Sequence, residues 1–270
     1  MIDLVDKFTN EEDCHFAQKK GYVYVKPNHH YVELRQQKEE HARKMWRAAR
    51  LVTHIIKRFP FVRAVFITGS LSKNSTDRTS DIDFMLVTAD RRLWIARTLL
   101  MLFKKLFLMN SYKFFCINFF ITEHNLEIEE KNYFSATEVA HIKTTFNTSM
   151  MHQFILKNLW IGKYFPNYIP SDPKVNSAGF KVNNRASYLQ KLFELFFFGP
   201  IGDKLDNYFK SKTINFWKRK YAYLNDSDLG LMFKSTDSVS RAHPGNMQKL
   251  ILGKYSCKLR QFNLDMNLYG

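Results

Sequence analysis

Two neighbouring stretches of sequence decide the fold: FITGS at residues 66–70 and, ten residues later, DIDFMLV at residues 81–87. The first ends an apolar run at a glycine, which predicts a short buried strand that turns sharply at its end. The second predicts another buried strand. Because side chains alternate along a strand, Asp81 and Asp83 are expected to share one face, while their apolar neighbours Ile82 and Phe84 face the core.

Two carboxylates on one face of an apolar strand favour a bound cation. They repel each other and are costly to bury unless a positive charge neutralises them. Carboxylate oxygens are hard ligands that suit Mg²⁺ or Mn²⁺. Gly69 allows backbone N–H groups to approach a phosphate closely, and the Ser70 hydroxyl adds a donor. These residues predict a site for a metal-bound triphosphate, in which two ions about 4 Å apart would serve an in-line displacement.

The order strand, Gly-Ser, loop, Ser-Asp-Ile-Asp, strand resembles the nucleotidyltransferase superfamily of the DNA polymerase beta type, particularly its small bacterial members. The matching positions over about residues 40–130 are Gly69, Ser70, Ser80, Asp81 and Asp83. The resemblance implies a polymerase-beta-like core with a short mixed sheet and flanking helices. It also implies Mg²⁺-dependent transfer of a nucleoside monophosphate from an NTP such as ATP, with release of pyrophosphate. In that family's scheme the Gly-Ser pair and the serine before the aspartates contact the nucleotide, and both aspartates ligate the metal.

The family motif often continues as Gly-Ser-x-Ala-Arg-Gly, and this chain differs from it at the last three positions. They are occupied by Ser72, Lys73 and Asn74. Lys73 keeps a cation and is expected to contact the phosphates. Asn74 replaces a glycine but tolerates a positive φ better than most residues.

A third carboxylate, which active members usually place on a later strand, is not evident. The strand expected at 112–122 has no acidic residue, and its candidate ligand is Asn118. An asparagine carbonyl can ligate Mg²⁺ but supplies no negative charge. Glu127 and Glu129, on a candidate next strand, are alternative third ligands, as is Glu123. The plain alternatives are a hydrogen-bonded strand asparagine and glutamates on a solvated face.

The remaining pattern predicts an α+β fold in which helices follow the core. A capping-box pattern, Ser135 with Glu138, is expected to open a long helical stretch. Strands are expected at 22–26, 62–68, 81–87, 112–122 and 126–128, and helices at 39–59, 89–107, 135–165, 186–223 with a break near Gly199-Pro200, and 247–262. We therefore expect an N-terminal extension at 1–36, a nucleotidyltransferase core at 37–131 and a helical C-terminal domain at 132–270.

Composition places the chain among folded proteins. It has 270 residues, 45% hydrophobic and 24% charged, which are ordinary globular values and argue against disorder. Three widely spaced cysteines exclude a disulfide framework and a CxxC metal site. The sequence shows no secretory signal and no apolar segment of the roughly 20 residues that span a bilayer. A soluble, cytoplasmic protein is expected.

The net charge of +16 predicts an anionic partner. Half of the excess lies in residues 181–270. The expected partners are an NTP and an acceptor hydroxyl on a small molecule, a protein or RNA. The segment 210–221 mixes cations and aromatic residues, so it either grips phosphates and bases or packs its rings with the cations solvated. The alternative to an enzyme is a catalytically impaired nucleotide- or RNA-binding module of the same fold.

Overall fold

A computed structural model describes residues 16–26, 28–109, 113–168, 188–225, 229–230, 232–242 and 247–261. The fold is mixed α+β, as the sequence predicts. A mixed sheet of five strands lies between helices on both of its faces. A separate two-stranded hairpin precedes it. In the part of the chain described, no helix has the length and apolar character needed to cross a membrane.

The first part of the chain supplies the hairpin and three strands of the main sheet. In order, its elements are β1 (Phe16–Lys19), β2 (Tyr22–Val25), α1 (His30–Ile56), β3 (Val62–Ile67), the short α2 (Gly69–Ser72), β4 (Asp83–Thr88), α3 (Leu93–Phe107) and β5 (Cys116–Thr122).

The second part of the chain alternates helices with two short strands. Its elements are α4 (Tyr133–His141), β6 (Lys143–Phe146), α5 (Thr148–Lys157), a 3₁₀ helix (Leu159–Lys163), α6 (Tyr188–Phe196), α7 (Pro200–Lys220), β7 (Val239–Arg241) and α8 (Met247–Gln261). The segment between the helices expected at 135–165 and 186–223 lies mostly outside the described residues.

The five strands are arranged in the order β6-β3-β4-β5-β7. β3 and β4 are antiparallel, with Ile67 opposite Phe84, whereas β4 and β5 are parallel, with Asp83 opposite Cys116. The central position of β4 explains its unbroken apolar sequence, because a strand covered on both faces has no solvent side.

Successive residues of β4 serve opposite faces of the sheet. Phe84 and Leu86 pack with apolar residues of α1, α3 and α7, together with Ile82. Met85 and Val87 pack with α4 and α5 on the other face. Ile82 and Phe84 are fully buried, which confirms their predicted place in the core. Asp83, by the same alternation, lies on the α4 side of the sheet.

Several predicted elements are confirmed, with shifted ends. β2, β3, α3, α6, α7 and α8 lie where the sequence pattern placed them, and the break between α6 and α7 falls at Gly199, which has a φ of +82°. β4 begins at Asp83, so Asp81 precedes the strand. α1 begins at His30 rather than at residue 39, and an Arg35–Glu39 ion pair one turn apart stabilises its polar first part.

The segment after residue 131 is not purely helical as predicted. β6 and β7 form the two edges of the main sheet, paired with β3 and β5. Strands of four and three residues are too short for their alternation to be read from sequence. Residues 126–128, a candidate strand, are not part of one.

The predicted capping box is also wrong. α4 begins at Tyr133, and its N-cap is Asn132, whose side chain accepts a hydrogen bond from the Ser135 backbone N–H. Ser135 therefore lies inside the first turn, and Glu138 is free to face the sheet rather than to cap the helix.

Candidate active site

Gly69 brings the end of β3 directly against Asp83. Its φ is +66°, a conformation that side-chain-bearing residues rarely adopt. A Cβ at this position would lie 2.3 Å from Asp83 Oδ2 and 3.1 Å from its Cγ. Glycine is therefore required here for both conformation and space, and the backbone at Gly69 packs against the carboxylate.

Asp81 and Asp83 converge at the start of β4, together with Cys116. One potential ligand atom from each lies within 4.8 Å of the others. Burial, reinforced by the nearby charges of Asp81 and Glu138, raises the pKa of Asp83 to about 7, against hydrogen bonds from Asn118 and Cys116. Such a carboxylate gains from a cation that neutralises the pair.

The donor set fits a hard divalent cation. The carboxylates of Asp81 and Asp83 are the oxygen ligands that Mg²⁺ and Mn²⁺ prefer. Cys116 does not suit this role, because burial, reinforced by the charges of both aspartates, raises the pKa of its thiol and keeps it protonated. The two predicted aspartates are the candidate ligands of the metal.

Asn118 adjoins Asp83. It is the extra residue of a bulge in β5, between the residues that pair with Phe84 and Met85 of β4. Its Nδ2 donates a hydrogen bond of 2.8 Å to Asp83 Oδ1. In this orientation Asn118 supports the carboxylate as a donor, while its position keeps it within reach of a cation held there.

Glu138 is a site residue that the sequence analysis missed. Its Oε2 accepts a hydrogen bond from the Gly69 N–H at 3.1 Å, and its Oε1 pairs with Lys73 Nζ at 2.5 Å. One signal could have located it: Glu138 lies three residues after the buried Ser135, on the same face of the helix. An acid on an otherwise buried face points to an interior role.

The structure does not bring Glu127 or Glu129 to the aspartates. Glu127 pairs with Lys131 at 2.6 Å, and Glu129 pairs with Lys234 at 2.6 Å. Neither lines the cavity that contains Asp81 and Asp83. Both are glutamates of a solvated face, so these two predictions of a third ligand are wrong.

The predicted nucleotide-binding serines differ in their surroundings. Ser70 lines the cavity, and its hydroxyl has no hydrogen-bond partner among the described residues. Ser80 Oγ accepts from the Asp77 N–H at 3.0 Å and donates to Asp77 Oδ1 at 3.1 Å. Ser70 is thus available to a ligand, whereas Ser80 mainly builds the turn before Asp81.

The loop after Gly69 is fixed by α1. Asn74 has a φ of +50°, as its sequence position predicts, and its Oδ1 accepts a hydrogen bond from Trp46 Nε1 at 2.8 Å. Arg35 donates to the carbonyl of Lys73 at 3.1 Å. These contacts hold Lys73 beside Gly69.

A cavity of about 1850 Å³ opens from the aspartates toward α3, α7 and α8. Single-ligand pockets are usually about 300–1000 Å³, so the cavity has room for two ligands. Its walls carry cations, among them Arg97 and Lys104 from α3 and Lys212 and Lys220 from α7. Burial lowers the pKa of Lys104, against the opposing charge of Asp81, so Lys104 lies on the aspartate side of this wall.

The basic segment 210–221 packs part of its aromatic residues and lines the cavity with part of its lysines. Trp217 is buried and packs at 5.0 Å from the Phe233 ring, whereas Phe216 is exposed. Lys212 and Lys220 line the cavity. Rings pack on one side of α7 while cations face the space beside the aspartates.

No family model matches the chain, and comparisons with curated proteins and with solved structures found no match.

Proposed function

We propose that this protein is a nucleotidyltransferase with a polymerase-beta-like core, which transfers a nucleoside monophosphate from an NTP to a hydroxyl of an acceptor. The observation that carries the proposal is the packing of Gly69 against Asp83. It sets phosphate-binding donors beside a carboxylate pair in an open cavity, as transfer to or from a triphosphate requires.

The proposed roles follow from the donors. Gly69 N–H, the Ser70 hydroxyl and Lys73 would hold the β- and γ-phosphates. Asp81 and Asp83 would hold Mg²⁺ or Mn²⁺, which supplies charge stabilisation at the reacting phosphate when bound. The acceptor oxygen bonds to the α-phosphorus as the bond to the β-phosphate oxygen breaks. Pyrophosphate leaves with that electron pair, and the hydroxyl proton passes to a carboxylate of the pair.

Glu138 competes with the triphosphate in this scheme. It engages Gly69 N–H and Lys73, two of the donors assigned to the phosphates. A carboxylate and a phosphate oxygen are similar acceptors, so binding of the nucleotide would displace Glu138 from both. Glu138 then becomes a third carboxylate near Asp83, supplied by a helix instead of the strand at which the family motif places it.

Transfer of label from α-labelled NTPs tests the proposal. The wild-type protein should transfer label to an acceptor in cell extract, or release pyrophosphate, only with Mg²⁺ or Mn²⁺. Asp81→Asn and Asp83→Asn should each lower the rate at least about 100-fold, since each removes a charged ligand. Glu127→Gln, which alters a solvated glutamate of the same region, is the matched control and should keep the rate. Turnover that survives both aspartate changes would refute the proposal.

A second function, nucleotide or RNA binding without transfer, is favoured by one observation. Asn118 stands where active family members carry a third carboxylate, and it donates to Asp83 instead of adding a negative charge. For such a module all four NTPs would bind, with no label transfer and no pyrophosphate release under any of the conditions above.

A further inference from the structure

Arg97 carries a cation for which the described residues offer no carboxylate partner. Its guanidinium lies over the ring of Trp217 at 4.8 Å and over that of Trp94 at 5.8 Å. It has no hydrogen bond or ion pair within the described parts of the chain. Ring faces attract the cation but leave its five N–H donors unused.

Other arginines that pack within this protein form ion pairs with carboxylates. Arg92 pairs with Asp203 at 2.6 Å, Arg63 with Glu194 at 2.8 Å and Arg241 with Glu130 at 2.9 Å. Burial lowers the pKa of Arg97 to about 10, so its charge persists at neutral pH. A guanidinium that is only partly solvated gains from an anion, and Arg97 lines the cavity from which an anion would come.

The position of Arg97 separates it from the proposed phosphate donors. α3 covers the face of the sheet that contains Phe84, whereas α4, which carries Glu138, covers the opposite face. Arg97 and Lys104 both line the cavity from α3, seven residues apart, which is about 10 Å along a helix. Because Lys104 interacts with Asp81, Arg97 lies about two turns of α3 from the lysine that is next to the aspartates.

We propose that Arg97 binds an anionic group of the acceptor, a phosphate or a carboxylate on the order of 10 Å from the hydroxyl that reacts at the aspartates. The assignment of the anion to an acceptor rests on the proposed function, whereas the anion site itself does not. The planar guanidinium would bind two oxygens of the anion, with Trp217 fixing its orientation. The cavity holds the volume for this second ligand beside the nucleotide.

Binding of inorganic phosphate to the metal-free protein tests the anion site. Phosphate, and acetate as the carboxylate probe, are titrated at constant ionic strength with chloride, and binding is followed by calorimetry and by the fluorescence of the tryptophans beside Arg97. Arg97→Met should weaken the binding of at least one probe by about tenfold or more, since it removes a charged bidentate donor. Arg97→Lys keeps the positive charge but not the two parallel N–H donors, so it should weaken phosphate or acetate binding by about threefold. A smaller loss in Arg97→Lys than in Arg97→Met shows that the loss does not come from misfolding.

Lys218→Met is the matched control, because it removes one charge from an exposed lysine of α7 that does not line the cavity. It should change phosphate affinity by less than about twofold, as expected for an exposed charge. Phosphate and acetate affinities that are both equal in wild type, Arg97→Met and Lys218→Met would overturn the anion site.

A second arm assigns the anion to the acceptor. Arg97→Met should bind Mg²⁺-ATP with an affinity within about twofold of wild type, and a tenfold loss would assign Arg97 to the nucleotide and overturn the proposal. Asp83→Asn should still bind phosphate. Failure of the label-transfer experiment alongside intact phosphate binding would therefore reject the enzyme without rejecting the anion site.

Discussion

Replacing Asp83 by asparagine removes a buried charge, and in EDTA above pH 7 we expect the variant to be more stable than the wild-type protein. The folded protein raises the pKa of Asp83 from 3.8 to about 7, chiefly by burial. The folded state therefore binds the proton more tightly than the unfolded chain does. The stability that this carboxyl contributes is fully present below pH 3.8 and is lost as the pH rises toward 7.

The structure sets the size of this effect. A pKa difference of one corresponds to about 1.4 kcal/mol, so the difference of about three gives an upper limit of about 4 kcal/mol at pH 8. Asp83 borders an open cavity, where screening by solvent favours the charged form. We therefore expect about 2 kcal/mol, or an increase in Tm of about 4–8 °C for a chain of this size.

Thermal unfolding at pH 4 and pH 8, with EDTA and then with Mg²⁺, measures the stability difference between Asp83→Asn and the wild-type protein. In EDTA the variant should exceed the wild type in Tm at pH 8 and differ little at pH 4. Added Mg²⁺ should stabilise the wild type more at pH 8 than at pH 4, since the metal needs the ionised carboxylate. The Tm of Asp83→Asn should rise little when Mg²⁺ is added.

Asp77→Asn is a control that should change the Tm at pH 8 in the opposite direction. Hydrogen bonds from Thr79 and Ser80 lower the pKa of Asp77 to about 2, so its loss should lower the Tm at pH 8 and less so as the pH falls through the range between 3.8 and 2. An Asp83→Asn protein that is less stable than wild type at pH 8 in EDTA would refute the reasoning. So would an equal difference at both pH values.

Three further changes address the phosphate side and the missing carboxylate. Gly69→Ala should reduce ATP affinity more than tenfold in an equilibrium binding assay, because its Cβ would overlap Asp83, whereas Gly162→Ala, with open space around it, should leave that affinity unchanged. Glu138→Gln should raise ATP affinity about three- to tenfold, since it removes a competing charge from Gly69 and Lys73, and weaker binding would contradict that role. Asn118→Asp should raise Mn²⁺ affinity about tenfold by calorimetry, because it adds a charged oxygen ligand beside Asp83, and an unchanged affinity would place Asn118 outside the metal's reach.

Local patterns in the sequence were enough to locate the acidic part of the site. The apolar run that ends at Gly69 predicted the turn, and strand alternation predicted the buried places of Ile82 and Phe84. The positive φ of Asn74 followed from the preferences of its residue type. Each of these features depends on a few neighbouring residues, so the chain itself carries the information.

Features that depend on distant parts of the chain were not predictable in this way. Glu138 meets Gly69 across 69 positions of sequence, and its spacing from Ser135 matched a local capping motif that the chain does not form. β6 and β7 are strands only because the edges of β3 and β5 accept them. Their backbone pairing depends on tertiary contacts. Three or four residues show too little alternation for a strand to be predicted from sequence.

The strand order explains how a protein of net charge +16 can keep an acidic centre. β4 presents Asp83 at the end of the sheet, between the strand that leads to Gly69 and the strand that carries Asn118. Cations then approach from both faces, Lys73 on the side of α4 and Lys104 on α3. In the proposed reaction a metal would need the acids, whereas a triphosphate and an anionic acceptor would need the cations. An acidic centre between two basic walls therefore suits a reaction that joins two anionic molecules, because each can be neutralised on its own side.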